Sequence, residues 1–305
     1  MSQGFGQAHG KIILIGEHSV VYNHPAIALP LLSATVQCYI EEALEDRFES
    51  IMYTGLMNDA PNTLNPFKEL LKSLKDSLNL PSLRLRVKTN FVPYGGLGFS
   101  AALASSITEA VYHYANKTLT EQERFDWTQF SERLAHSNPS GIDATLVASK
   151  HALIYQKNHP SKPLKINIPG YLIVGSSGIR GETKQAVNHI SSTLHHRSTQ
   201  AAIKQLAELT DNVLNYMQMN DIKRVGEAMT KAHDTLRQLG VSHIQLDTMV
   251  NVALKQGALG AKLTGGGLGG SVIALSDTRE IAEDILKHWK SLTQIKGWIL
   301  PLKEV

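Results

Sequence analysis

The segment from Pro93 to Ala102, which reads PYGGLGFSAA, constrains the fold more than any other part of the chain. Its three glycines follow an alternating, strand-like segment and lead directly into an apolar, Ala- and Ser-rich helical segment. Glycines let the backbone turn freely and approach a ligand closely. The first amides of a helix lack internal partners and carry partial positive charge. The pattern therefore predicts an anion site, most often for phosphate, with a glycine turn that binds nothing as the alternative.

Length and composition indicate a globular protein. The 305 residues suffice for one large domain or two of ordinary size, and 42% hydrophobic with 19% charged residues is typical of a soluble chain. The single cysteine, Cys38, excludes an intramolecular disulfide and suits a reducing compartment. The first ten residues lack the apolar core of a signal peptide, and no apolar run approaches the ~20 residues of a membrane span. We therefore expect a cytoplasmic protein without a membrane partner.

Charge and histidine spacing argue against two further classes of protein. The net charge of +3 is small and scattered, whereas a nucleic-acid partner usually needs a dense basic face. The one basic run, at positions 84, 86 and 88, alternates with apolar residues and predicts a half-buried strand. The 13 histidines form no HExxH pair, and no CxxC pair occurs, which argues against a zinc site.

Hydrophobic periodicity predicts a mixed α+β chain in two lobes. Strands are predicted at 11–16, 35–42, 83–90, 152–156, 171–175, 271–275 and 298–302, and helices at 66–80, 100–116, 121–138, 182–196, 199–217, 221–239, 244–256 and 279–292. The helix at 121 follows a capping box, TEQE at 120–123. The order is not a regular βαβ alternation, which argues against a Rossmann sheet. We predict two domains, 1–160 and 161–305.

The usual nucleotide signatures fail, but three more segments carry reactive residues. No Walker A string and no protein-kinase HRD or DFG string occurs. GKIILIGEHSVVY (10–22) places a lysine before a buried strand and a Glu-His pair after it. ERLAHSNPSGID (132–143) places two carboxylates eleven residues apart across a proline, and KLTGGGLGGS (262–271) is a second glycine loop. Each of these features has a plain alternative. Lys11 could be a surface lysine and Glu132 a solvated helix residue, while Asp143 could be a helix-start residue and 265–270 a tight connection.

Taken together and in this order, these segments resemble the GHMP kinases, which phosphorylate galactose, homoserine, mevalonate and phosphomevalonate. The resemblance runs from Lys11 to about Ser271, and the strings at 16–28 and 136–143 are similar to those of the members that act on mevalonate. It implies a two-lobed α+β fold with the active site between the lobes. The N-terminal lobe would hold a left-handed βαβ unit of the ribosomal-protein kind, and the C-terminal lobe an α/β sandwich.

The resemblance also implies roles for the nucleotide and metal residues. The ATP phosphates would be wrapped by the first glycine loop, at Gly95, Gly96, Leu97, Gly98, Ser100 and Ala101. Ser100 and Glu132 would ligate Mg²⁺, which prefers oxygen donors. Asp143 would be the general base that takes the proton of the substrate's primary alcohol. Lys11 would lie beside it and favour the charged carboxylate and the developing alkoxide.

Further residues would bind the second substrate, which the resemblance implies to be mevalonate. Glu17 and His18 would line the pocket for its carboxylate and hydroxyls, with His18 in direct contact. The second glycine loop, at Gly265, Gly266 and Gly267, would close the site, with Thr264 at its edge. The implied reaction makes 5-phosphomevalonate for isoprenoid precursor synthesis, and the oligomeric state, a homodimer included, stays open.

One position departs from the family pattern. The family's GLGSSA reads GLGFSA here, so Phe99 replaces the first serine and places a large ring beside the nucleotide. A hydrogen-bond donor to phosphate is lost while the backbone amide remains, so we expect weaker ATP binding rather than inactivity. Two alternatives stay open: a phosphomevalonate kinase, and a non-catalytic nucleotide-binding regulator of the same fold. Homoserine kinase and galactokinase match the strings at 17–18 and 138–143 less well.

Overall fold

The computed structural model describes residues 3–93, 95–135, 139 and 141–304, and it confirms a mixed α+β fold. The strands are β1 Gln3–Ile15, β2 Ala26–Glu42, β3 Arg47–Glu49, β4 Thr54–Leu56, β5 Leu83–Thr89, β6 Ala152–Tyr155, β7 Lys162–Leu164, β8 Tyr171–Ser176, β9 Gly260–Thr264, β10 Ser271–Ser276 and β11 Trp298–Pro301. The helices are α1 Asn65–Leu78, α2 Phe99–Tyr114, α3 Glu121–Ala135, α4 Ile142–Leu146, α5 Thr183–Thr193, α6 Arg197–Gln218, α7 Ile222–Gln238, α8 Ile244–Lys255 and α9 Arg279–Thr293.

The chain forms two compact units that each take up several stretches of sequence. Unit 1 comprises residues 1–11, 30–93 and 98–150, and unit 2 comprises 12–29, 94–97 and 151–305. Strands β1 and β2 each contribute residues to both units, and the first glycine loop passes from unit 2 to unit 1 between Leu97 and Gly98. The division into continuous domains at residue 160 stays a prediction.

Unit 1 contains sheet strands in the order β4-β3-β5-β2. Strand β5 is antiparallel to β2, with Leu85 opposite Ile40, and parallel to β3. Its apolar residues are buried while Arg86 and Lys88 are exposed, so the half-buried strand predicted here is confirmed. Helix α3 begins with the predicted capping box. The Thr120 amide donates to the Glu123 carboxylate at 2.9 Å, and the Glu123 amide donates back to the Thr120 hydroxyl at 3.2 Å.

The start of β1 differs from the prediction. The strand begins at Gln3 rather than Lys11, and its buried positions include Gly4 and Gly6. A Cβ on Gly4 would lie 2.2 Å from the Ala110 carbonyl oxygen, and one on Gly6 would lie 2.2 Å from that of Ser106. These glycines let α2 lie directly on the strand, so a segment that looks like a polar linker forms part of the unit's core. Strand β2 likewise starts earlier than predicted, at Ala26 rather than residue 35.

Unit 2 contains a four-stranded antiparallel sheet in the order β11-β8-β10-β9. Helices α8 and α9 pack on this sheet, and the buried Trp289 indole donates to the Met249 carbonyl oxygen at 2.8 Å. Strand β9, which periodicity did not predict, is buried along its whole length and contains Lys262. The unit also holds the first residues of β2 paired with β6, which in turn pairs with β7.

In the described part of the chain, no helix is both long and apolar enough to cross a membrane. Cys38 lies fully buried in β2, and this burial raises the pKa of its thiol.

Candidate active site

The first glycine loop is shaped by close packing as well as by turning. Gly98 adopts a φ of 74°, and a Cβ there would lie 2.9 Å from Cγ of Lys11. The Gly95 carbonyl oxygen accepts a 2.6 Å hydrogen bond from the Ser271 hydroxyl. The Leu97 side chain is fully buried, so this residue offers a ligand only its backbone. Gly96 also has a positive φ, and Tyr94 lies outside the described residues.

Helix α2 starts immediately after this loop. The Ala102 amide donates to the Gly98 carbonyl oxygen at 2.9 Å, which makes it the first intrahelical bond. The amides of Phe99, Ser100 and Ala101 therefore precede that bond and lie at the positive end of a 16-residue helix. This arrangement suits the phosphate groups of a nucleotide.

Phe99 turns out to be a core residue of unit 1. Its side chain is 6% exposed, and its ring meets Phe91 edge to face with centroids 5.4 Å apart. The expectation of a large ring beside the nucleotide therefore needs correction, because the ring packs inward against Phe91. What the substitution removes is a hydroxyl, and what it adds is an apolar anchor for the first turn of α2.

Lys11 and Asp143 form an ion pair in unit 1. The Lys11 ammonium lies 2.7 Å from Asp143 Oδ1, with side-chain exposures of 5% and 34%. Lys11 lies in β1, while Asp143 lies in the first turn of the short helix α4, which follows Gly141 at a φ of 89°. The structure thus brings together a nearly buried cation and a partly accessible carboxylate that are far apart in sequence.

Glu132 lies close to the same pair. It sits on α3 with 3% exposure, and burial together with the negative charge of Asp143 raises the pKa of its carboxyl to about 7. A hydrogen bond with Ser100 and the charge of Lys11 act in the opposite direction. A desolvated carboxylate with a second carboxylate nearby gains from an added cation, and hydroxyl and carboxylate oxygens are the donors that Mg²⁺ prefers. Ser100 and Glu132 therefore fit a magnesium ion.

In unit 2, Glu17 forms a buried ion pair with Lys262, a residue that the sequence analysis did not single out. The two side chains are 1% and 0% exposed, and the Lys262 ammonium also donates to the Leu263 carbonyl oxygen at 2.7 Å. Burial lowers the pKa of Lys262, and the Glu17 carboxylate offsets only part of this effect, so the pKa stays below its ordinary value. The only sequence signal was the position of Lys262 directly before the second glycine loop.

His18 is buried and neutral in the same unit. Its Nε2 lies 2.9 Å from the Gly266 carbonyl oxygen, which can only accept, so Nε2 carries the proton. Burial lowers the pKa of His18 to about 4, and the charge of Lys262 adds to this effect. At neutral pH the remaining ring nitrogen, Nδ1, is therefore a hydrogen-bond acceptor, so the ring suits a hydroxyl donor better than an anion.

This neutral histidine predicts a loss of stability in acid. The unfolded chain binds a proton at His18 near pH 6.5, whereas the folded protein resists it down to about pH 4, so stability falls as pH drops through this range. Between pH 7 and pH 5 we expect His18 to account for up to about 2 kcal/mol of lost unfolding free energy. Denaturant unfolding of the parent and of His18→Gln at both pH values measures it. Equal pH dependence in the two proteins would contradict the assignment.

Thr264 and the second glycine loop are held by backbone contacts within unit 2. The Thr264 hydroxyl donates to the Ile13 carbonyl oxygen at 2.9 Å and accepts from the Ile13 amide at 3.0 Å. A Cβ on Gly266 would lie 2.3 Å from Thr183 Oγ1, and one on Gly267 would lie 2.0 Å from the Val241 carbonyl oxygen. Gly265 and Gly267 also have positive φ. The loop thus needs glycines for packing alone, and the Thr264 hydroxyl hydrogen is already used.

A pair of matched substitutions separates steric clash from backbone strain. Gly267→Ala combines a φ of 82° with the clash against Val241, whereas Gly257 has a φ of 94° and its nearest neighbour at an ordinary 3.6 Å. We expect strain alone, about 1–3 kcal/mol, in Gly257→Ala and a clearly larger loss of unfolding free energy in Gly267→Ala. Denaturant melts of both variants measure the difference, and equal losses would mean that the loop moves away from Val241 without cost.

The family model "GHMP kinases N terminal domain" matches residues 65–150 and "GHMP kinases C terminal" matches 202–293. A curated mevalonate kinase from Thermococcus sibiricus is 31% identical over 307 residues, covering 90% of this chain and 89% of its own. One from Aeropyrum pernix is 29% identical over 304 residues, covering 94% and 93%. The crystal structure of L. major mevalonate kinase in complex with R-mevalonate superposes with a TM-score of 0.81 at 25% identity, covering 100% of this chain and 98% of that one.

The chain belongs to the GHMP kinase family. Within the family, its relatives at about 30% identity over nine tenths of the chain are mevalonate kinases, and it groups with them. Part of the resemblance found in the sequence, at His136, Ser137, Asn138 and Ser140, lies outside the described residues.

Proposed function

We propose that this enzyme transfers the γ-phosphoryl group of ATP to the primary hydroxyl of mevalonate, which gives 5-phosphomevalonate and ADP and feeds isoprenoid precursor synthesis. The observation that carries the proposal is the 2.7 Å pair of Lys11 and Asp143, with buried Glu132 nearby. A partly accessible carboxylate can take the proton of an alcohol, and a fixed cation beside it can stabilise the negative charge that develops on the oxygen.

In the proposed reaction the hydroxyl oxygen attacks the γ-phosphorus while the bond to the ADP oxygen breaks. Asp143 takes the hydroxyl proton, and Lys11 stabilises the negative charge that develops on the oxygen. The amides at the start of α2 and the glycines before it hold the phosphates. Positioning and charge stabilisation supply most of the catalysis in phosphoryl transfer.

We propose Mg²⁺ as the metal, held by the Ser100 hydroxyl and the Glu132 carboxylate. When bound there, the ion neutralises phosphate charge. The residues support this role, because burial and the charge of Asp143 make the ionised form of Glu132 costly, and an added cation would offset that cost.

The metal assignment predicts the behaviour of Glu132→Gln. The change keeps the shape of the side chain and removes its charge, so we expect the Mg²⁺ concentration for half-maximal activity to rise at least about tenfold. Glu121→Gln, an exposed position on the same helix, is the matched control. The effect is measured by titrating Mg²⁺ while the total ATP concentration is held constant at a saturating value. An unchanged Mg²⁺ requirement would remove Glu132 from the metal site.

For the second substrate, we propose Glu17 and His18 as pocket residues. The neutral His18 ring, with Nε2–H committed to Gly266, supports a role as acceptor for a mevalonate hydroxyl rather than as a cation for its carboxylate. Thr264 can only accept a further hydrogen bond, since its hydrogen is donated to Ile13. The backbone at Gly265, Gly266 and Gly267 remains proposed to close the site.

A single assay distinguishes this function from its alternatives. ADP release is measured with ATP and, in turn, mevalonate, phosphomevalonate, homoserine and galactose. We expect release with mevalonate, and mass spectrometry of the product should show one added phosphate. Release with phosphomevalonate instead would establish the alternative, a phosphomevalonate kinase. No release with any acceptor, together with measurable ATP binding, would favour a non-catalytic regulator.

We also propose that the enzyme is cytoplasmic, because Cys38 is a free, buried thiol, which suits a reducing compartment.

A further inference from the structure

A fully buried lysine, Lys262, forms an ion pair with Glu17, one of the proposed mevalonate-pocket residues in unit 2. Lys262 is 0% exposed, and its ammonium is shared between the Glu17 carboxylate and the Leu263 carbonyl oxygen. Taking an ammonium and a carboxylate out of water is costly, and a well-packed apolar pair is often as stable. A purely stabilising role therefore does not by itself account for the burial of this pair.

The segment that follows β1 has an unusual backbone. Gly16 has a φ of 104°, and His18 has a φ of 61° with a ψ of −44°, a positive-φ conformation outside the left-handed helical region that is rare for a residue with a side chain. Such a conformation persists only where surrounding contacts over-determine it. Local hydrogen bonds hold this segment, among them those from the Ser19 amide to the Glu17 carbonyl oxygen and from the Val20 amide to that of Gly16. The contacts that tie it to β9 and the second glycine loop are the ion pair at Glu17 and the hydrogen bond from His18 to Gly266.

Strand β9, which contains Lys262, is held at Leu263 by further hydrogen bonds. The Leu263 amide donates to His233 Nδ1 at 3.3 Å, and His233 Nε2 lies 3.2 Å from Asp247 Oδ1. The Ser242 hydroxyl donates to the same oxygen at 2.5 Å. The Leu263 carbonyl oxygen thus accepts from Lys262 while its amide donates to His233, so the backbone next to Lys262 is hydrogen-bonded on both sides.

We propose that Lys262 is a positioning residue for the substrate pocket: through Glu17 it fixes the backbone around His18, so that the imidazole keeps one ring nitrogen on Gly266 and presents the other to a substrate hydroxyl. This inference rests on the proposed function, because it takes mevalonate as the ligand of His18. Lys262 itself touches no substrate. Its positive charge also disfavours a proton on His18, which preserves the acceptor nitrogen.

The test is a double-mutant cycle of Lys262→Met, Glu17→Gln and the two changes combined, with the exposed Lys255→Met as the matched control. We expect Lys262→Met to raise KM for mevalonate at least tenfold while KM for ATP stays within twofold. If Lys262 acts through Glu17, the combined variant should be no worse than the more impaired single variant. The combined variant also removes the buried carboxylate charge that Lys262→Met leaves without the lysine, so it remains testable if Lys262→Met fails to fold.

Three results overturn the inference. The first is a KM for mevalonate in Lys262→Met or in the combined variant that equals the parent's. The second is a combined variant whose rise in KM is the product of the rises in the two single variants. The third is an equal rise in KM for mevalonate and for ATP. The ¹⁵N shifts of the His18 ring give a readout independent of turnover: in the parent they should report a neutral ring protonated at Nε2, and in the combined variant a mixture of tautomers. If the parent itself does not phosphorylate mevalonate, the proposed function fails, while the ring shifts still test the link from Lys262 to His18.

Discussion

Replacing Asp143 by asparagine is expected to reduce kcat by about 10²- to 10⁴-fold, the usual contribution of a general base. The amide keeps the size and polarity of the side chain but cannot take the proton of the attacking hydroxyl. Lys11 loses its ionic partner but keeps a polar neighbour, so the fold of unit 1 should persist. Steady-state rates at saturating ATP and mevalonate, with a thermal melt of each protein, measure the effect.

Asp76→Asn is the matched control for this experiment, because Asp76 is exposed on α1 of the same unit. It should retain the parent's kcat. An Asp143→Asn enzyme within tenfold of the parent would show that another group, or bulk water, accepts the proton. A large loss in the melt of Asp143→Asn would instead assign the carboxylate a structural role.

The second large effect is expected for Lys11→Met, with a loss of about 10²- to 10³-fold in kcat, as for the removal of one preorganised electrostatic group. The Lys11 side chain is 5% exposed, so its charge acts where water screens it little. In Lys11→Met this charge no longer offsets the repulsion between the Asp143 and Glu132 carboxylates. The pKa of Glu132 should then rise further, and proton removal from the substrate should become harder.

Lys72→Met, at an exposed position on α1, makes the same chemical change without touching the site. Rates measured over a range of Mg²⁺ concentrations distinguish two causes of inactivity in Lys11→Met. A deficit that excess Mg²⁺ abolishes would place the role of Lys11 in metal binding alone. A deficit that persists at saturating Mg²⁺ supports its role beside the base, and parental kcat would exclude both.

Much of the fold could be predicted because the local signals agree with the tertiary environment. Strand β5 alternates apolar and charged residues, and the sheet buries the apolar ones. The capping box at Thr120 depends only on residues three apart, so its geometry is determined locally. The order of the reactive segments was sufficient to indicate the family, since those residues lie in four short strings with distinctive composition.

What could not be predicted depends on contacts between distant segments. The first residues of β1 resemble a linker, and only the approach of the α2 backbone explains glycines at positions 4 and 6. Lys262 resembles a surface residue at a loop edge until Glu17, 245 residues earlier, is placed against it. Phe99 looked like an obstacle to a nucleotide because the position of Phe91 in the fold was unknown.

Cys38 has a practical consequence for measuring motion in this enzyme. It is the chain's only cysteine, its side chain is fully buried, and its raised thiol pKa keeps it protonated and unreactive at neutral pH. The native protein should therefore give almost no background with maleimide dyes. One cysteine introduced on the surface of each unit would carry a donor and an acceptor fluorophore without any prior removal of native thiols. Single-molecule energy transfer could then follow the distance between the units as nucleotide and acceptor are added.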